Sequence, residues 1–111
     1  MGFRFMRTIL FFDLPSITST EKRNYRNFVK SIKKMGFYMV QESVYVKMCI
    51  DNQVSSALIN KVELIAPPAG NVMMINVTEK QFSQLKVIIG ENRTDVITSN
   101  DRTILLWNKY F

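Results

Sequence analysis

The run ILFFDLP, residues 9 to 15, carries four apolar residues straight into one carboxylate, Asp13. Aspartate is depleted in strands, and burying its charge is costly unless something pairs with it. A carboxylate at a strand end sits where functional loops begin. One or two carboxylates, completed by water and substrate phosphate, suffice for Mg²⁺. A two-fold dimer would supply a second copy of Asp13 if this strand lay near the axis. The simpler local account is a turn-forming aspartate helped by Pro15.

A second group with chemical potential lies just downstream. Lys22, Arg23, Arg26, Lys30, Lys33 and Lys34 follow one another against a single acid, Glu21. Lys22, Arg26 and Lys30 recur at i, i+4, which puts like charges on one helical stripe at a local cost. A merely solvated face usually mixes signs, so contact with a phosphate backbone is the preferred reading. Arg7 and Arg4 are candidates to extend it. The third group is RTILLWNKYF, residues 102 to 111. Ile104, Leu105, Leu106 and Trp107 read either as an edge strand of this fold or as a strand docking on another subunit's sheet. Partner docking is preferred.

Other chemistries are excluded. The chain has no histidine, which removes a histidine general base, a Ser-His-Asp or Cys-His site and histidine-containing zinc sites. Neither GxxxxGK[ST] nor GxGxxG occurs. Cys49 is the single cysteine, so no internal disulfide forms and a reducing compartment is expected. No apolar run is long enough to span a membrane. The basic and then apolar N-terminus stops at Asp13 and lacks a small-residue cleavage site, so it does not read as a signal peptide. A cytoplasmic location is expected. The net charge of +6 favours anionic partners.

The elements that must hold these groups follow from periodicity. Residues 5 to 13 read as a strand, nearly continuously apolar as expected where both faces are covered. Thr18 and Glu21 fit a capping box. A helix over about 21 to 35 follows, with Tyr25, Phe28, Val29, Ile32 and Met35 on one stripe, and Gly36 ends it. Residues 37 to 50 lack Gly and Pro and read as one long strand, or as a hairpin if bent at Gln41 and Glu42. On that reading Tyr38, Val40, Val44, Val46, Met48 and Ile50 share the apolar side. Gln41, Ser43, Tyr45 and Lys47 then share a half-solvated one. Asp51 or Asn52 caps a second helix to about Ile65, stopped by Pro67 and Pro68. A strand over 71 to 77, a short helical turn in TEKQFSQL, a strand over 86 to 89 and a further one over 102 to 107 complete the chain.

The pattern is an α+β, ferredoxin-like β-α-β-β-α-β arrangement with an antiparallel sheet and both helices on one face. A C-terminal extra strand is added. Residues 1 to 91 form the domain and 92 to 111 a tail. With 111 residues, the chain has limited capacity to bury surface. The sheet face away from the helices needs a cover, and a partner subunit is expected there.

RTILFFDLP, the basic helix, GFYMVQESVYVK and NVMMINVTEKQF together resemble the small CRISPR-associated adaptation protein, the non-integrase subunit of the spacer-acquisition complex. The likeness spans nearly all of residues 6 to 91. Its most specific parts are the strand-ending Asp13 and the element at Gln41, Ser43, Val44 and Tyr45. The long tail resembles that of type II systems. The resemblance implies a ferredoxin-like homodimer in which Asp13 binds a divalent metal, Mg²⁺, across the dimer axis. It also implies a subunit that bridges integrase dimers and holds double-stranded DNA. Some members are metal-dependent endonucleases on RNA or double-stranded DNA. On that basis Asp13 is the catalytic and metal-binding candidate. Arg7, Lys22, Arg23, Arg26 and Lys30 are the nucleic-acid candidates. A toxin-type ribonuclease of the same fold is the alternative.

Overall fold

The apolar run at the start of the chain becomes β1 (Met6–Asp13), an inner strand of a four-stranded antiparallel sheet. The structure is a computed structural model and describes residues 5 to 90. After β1 come α1 (Ser19–Lys34), β2 (Tyr38–Gln41), β3 (Val44–Cys49), α2 (Asn52–Ile65), β4 (Asn71–Thr78) and the single-turn α3 (Glu79–Phe82). The sheet order is β2-β3-β1-β4. This is the ferredoxin-like α+β arrangement, with β1 paired to β3 on one side and to β4 on the other.

The helices form where their local signals lie. Thr18 is the N-cap of α1; its side chain accepts from the Glu21 amide, while the Glu21 carboxylate accepts from the Thr18 amide. The Thr18 and Ile17 amides, both donating to its carboxylate, hold the Glu21 carboxyl below its usual pKa. Asp51 caps α2 by accepting from the Val54 amide at 2.8 Å. Gly36, just beyond α1, takes a φ of +100°, a conformation that side chains resist.

Alternation along β1 divides the interior. Leu10 and Phe12 point into the main core with Phe28 and Ile32 of α1 and Leu58 and Val62 of α2. Phe12 meets Phe28 edge-on at 5.2 Å and stacks on Tyr45 at 5.8 Å. Beneath α2, Thr8, Ser55 and Asn76 hydrogen-bond to one another, with Cys49 Sγ 3.5 Å from Thr8 Oγ1. The opposite column of β1 carries Arg7, Ile9, Phe11 and Asp13.

Residues 37 to 50 are two strands. The chain reverses at Glu42 and Ser43, and Ser43 adopts a φ of +67°. Gly, Asn and Asp are the residues that favour this conformation, so the turn is poorly advertised in the sequence. An irregularity between Met39 and Gln41 shifts the hairpin register, consistent with a bulge. Tyr45, assigned to the half-solvated side of a single strand, is instead 4% exposed in the main core. That burial raises its pKa.

The strand expected over 86 to 89 does not form. That segment has no ladder partner among the described residues, and Ile88 and Ile89 are exposed. The strand expected over 102 to 107 lies outside the described residues. The sheet face away from α1 and α2 is covered in part by the chain itself. Phe82 of α3 packs with Val46, Ile9, Tyr38, Val40 and Val77. Beyond α3 the face stays open, and Phe5, Met73 and Ile75 are 42%, 55% and 52% exposed. Among the described residues no helix is long and apolar enough to cross a membrane.

Candidate functional site

Asp13 is the last residue of β1 and is exposed. It belongs to the column of Arg7, Ile9 and Phe11, so it lies on the open sheet face rather than under the helices. Its surroundings are built closely. The Phe12 amide donates to the Ser43 carbonyl at 3.1 Å, tying the β2–β3 turn to this strand end. On the other side Asp13 pairs with Asn71 of β4. Gly70, at φ +99°, packs so tightly that an added Cβ would lie 2.6 Å from the Asp13 carbonyl oxygen.

The Asp13 carboxylate makes no hydrogen bond or ion pair with another described residue. Among the described residues no three His, Cys, Asp or Glu side chains gather as a metal cage. A lone, solvent-facing carboxylate fits a largely hydrated Mg²⁺ and does not fit Zn²⁺ or an all-protein Ca²⁺ site.

The cations of α1 are elsewhere. Lys22, Arg23, Arg26, Lys30, Lys33 and Lys34 are all exposed, and none forms an ion pair with a described residue. They stand on the helix layer, whereas Asp13 looks out from the opposite face of the sheet. The structure therefore separates the carboxylate and the basic stripe into two surfaces. Helix stability explains only the end of the stripe. Lys33 and Lys34 lie in the last turn, where the helix dipole favours positive charge, but Lys22, Arg26 and Lys30 gain nothing there and their i, i+4 repeats repel.

Arg7 does not fit the expectation of a phosphate contact, because it is 2% exposed. Its Nε and Nη2 donate to the two carboxylate oxygens of Glu79 at 2.6 and 2.8 Å, and Nη1 donates to the Tyr38 hydroxyl. Its guanidinium lies 4.8 Å from the Phe82 ring centroid. Burial works against the charge of Arg7, but Glu79 and Tyr38 outweigh it and raise its pKa. Burial likewise pushes up the Tyr38 hydroxyl. Arg7 thus latches α3 onto the sheet. The signal was its parity: Arg7 shares a column with Ile9 and Phe11, so it had to be either buried with a partner or splayed outward. Its partner, Glu79, lies 72 residues away, too far for local spacing to reveal.

Glu79→Ala should cost about 2 to 3 kcal/mol. This is below the usual range for breaking a buried pair, because the Glu79 side chain is 41% exposed and water screens the loss. Combining it with Arg7→Met should cost less than Glu79→Ala alone, since no buried charge is then stranded. Urea denaturation measures both; a Glu79→Ala midpoint equal to that of the parent would refute the latch.

Comparison with known proteins bears directly on this arrangement. The family model described as CRISPR associated protein Cas2 matches residues 6–85. The chain belongs to the Cas2 family. It is 40% identical to the CRISPR-associated endoribonuclease Cas2 of Treponema denticola over 101 residues, covering 91% of this chain and 100% of that one. The Streptococcus mutans UA159 protein of the same name is 39% identical, covering 91% and 93% of the two chains. The Campylobacter jejuni one is 31% identical, covering 95% and 73%.

Cas2 membership accords with the resemblance carried by the strand-ending aspartate and the β2–β3 hairpin. It makes this a CRISPR-associated adaptation protein of ferredoxin-like fold. The Cas2 match runs through β1, the hairpin and α3, the segments that frame Asp13 and the Arg7 latch. Ile104, Leu105, Leu106 and Trp107, the docking candidates, lie outside the described residues.

Proposed function

We propose that this Cas2-family chain works as a homodimer that holds double-stranded DNA between integrase subunits during CRISPR adaptation. On this reading the paired Asp13 carboxylates bind Mg²⁺ and support phosphodiester hydrolysis. The observation that carries the binding role is the row of exposed cations on α1, none of them neutralised by a described residue. Phosphate contacts position a duplex without reading its sequence, which suits a subunit handling many different DNA segments. The expected location is the cytoplasm. The segment from Ile104 to Trp107 is the docking element, on the integrase or on the second subunit.

Two-fold pairing across the open sheet face would bring the Asp13 positions toward each other. It would leave both α1 layers outermost. Phe5, Met73 and Ile75 provide the apolar surface for that contact. In the hydrolytic reading, Asp13 anchors a divalent cation whose chemistry is to activate water and neutralise charge developing on the phosphate. The relatives are named endoribonucleases, which favours RNA as the cleaved polymer. A toxin-type ribonuclease is the second reading and requires neither integrase nor duplex DNA.

Two measurements test the proposal. Light scattering in moderate salt should return about twice the 13.0 kDa chain mass. A clean monomer at micromolar concentration excludes the shared Asp13 site. Chromatography with the integrase subunit should give a ternary peak containing duplex DNA; ribonuclease activity with no such peak selects the toxin-type reading.

A further inference from the structure

Asn71 lies directly opposite Asp13 in the β1–β4 ladder. The same ladder pairs Phe11 with Met73, Ile9 with Ile75 and Arg7 with Val77. Arg7 and Val77 lie against α3, which fixes this column on the open face. The alternate pairs, Phe12 with Val72 and Leu10 with Met74, pack into the helix-side core. Asn71 and Asp13 therefore share a face, and both are exposed. Opposed residues in an antiparallel pair have Cβ atoms about 4.5 to 5.5 Å apart, so one hydrated ion or phosphate can touch both side chains.

The turn before Asn71 is pressed onto Asp13. Besides the carbonyl oxygen of Asp13, a Cβ at Gly70 would meet Leu14 Cδ2 at 2.9 Å and Pro15 Cδ at 3.0 Å. Only the missing side chain lets β4 begin this close to the end of β1. Asn71 is also the polar end of a column that is otherwise apolar on β4. Its carboxamide offers an acceptor and two donors, and it adds no charge to compete with phosphate.

From this geometry we infer that Asn71 is a positioning residue of the Asp13 centre. Its Oδ1 accepts a hydrogen bond from water on the divalent cation that Asp13 ligates, and its Nδ2 donates to a phosphate oxygen. This rests on the reading of Asp13 as the metal-binding position. Groups that orient a metal's water typically change affinity by about 10- to 100-fold when removed.

The test is Mn²⁺ binding by the full chain without nucleic acid, followed by the electron paramagnetic resonance signal of free Mn²⁺. Asn71→Ala should weaken binding by about tenfold. Asn71→Asp keeps the acceptor and adds charge, so it should bind Mn²⁺ at least as tightly as the parent. Unfolding midpoints without metal should be the same for all three, since Asn71 is exposed. Unchanged affinity in Asn71→Ala, with binding weakened in Asp13→Asn, overturns the role of Asn71 alone. Equal loss in Asn71→Ala and Asn71→Asp also overturns it, because that marks a packing effect. Undiminished Mn²⁺ binding by Asp13→Asn overturns both the inference and the metal reading beneath it.

Discussion

Asp13→Asn is expected to lower metal-dependent phosphodiester cleavage by roughly 10²- to 10³-fold, the equivalent of several kcal/mol of lost charge stabilisation. The substitution keeps the size of the side chain and removes its charge. Asp13 is exposed and has no partner among the described residues, so the mass in solution and the unfolding midpoint should not move. That separation makes the result interpretable: a loss of activity cannot be assigned to a loss of fold. The assay should follow single-stranded RNA and duplex DNA, with Mg²⁺ and with Mn²⁺. Undiminished cleavage by the variant would place the activity elsewhere or in a contaminant. No cleavage by the parent under any of these conditions would leave binding as the function of the chain.

The parts of the fold legible in the sequence are those set by local rules. The Thr18–Glu21 capping box, the stripe of Phe28 and Ile32 and the Asp51 cap each announced an element that the structure contains. Asp13 was legible as a strand-end carboxylate because the apolar run leads directly to it. The β2–β3 turn was only half legible, since Ser43 adopts a left-handed conformation without glycine or asparagine to signal it. Tyr45 was misplaced for a separate reason. Tyr38, Val40 and Val46 do share one face, under Phe82, but the Tyr45 face is the helix-side core. It read as half-solvated only because Gln41 and Ser43 lie at or beside the turn.

Arg7 shows a different limit. Its charge and its place near the basic helix made it look like a phosphate contact. What decides its role is a carboxylate from the far end of the domain and an aromatic ring on α3. Composition supplies the charge of a residue but not its partner. The separation of Asp13 from the α1 cations was illegible for the same reason. They are neighbours in sequence, and only the two faces of the sheet divide them.

That separation shapes the second large effect. Replacing Arg23, Arg26 and Lys30 together by Gln should weaken duplex binding by at least about 10²-fold near 0.1 M salt, while leaving Mn²⁺ binding at Asp13 unchanged. At 1.5 Å per residue, the stripe from Lys22 to Lys34 is about 18 Å long. Duplex DNA carries one charge per 1.7 Å of axis, so that length runs beside about ten phosphates. If three cations per subunit touch phosphate, a dimer makes about six contacts. The slope of log K on log salt is then near −0.9 × 6, roughly −5. The triple variant should flatten that slope and weaken every duplex alike, because phosphate contacts carry no direct base information. Removing like charges at i, i+3 and i+4 should also leave α1 slightly more stable, so lost binding cannot be blamed on a melted helix. An unchanged salt slope would move the duplex off α1, and strong discrimination among duplex sequences would contradict backbone-only contact.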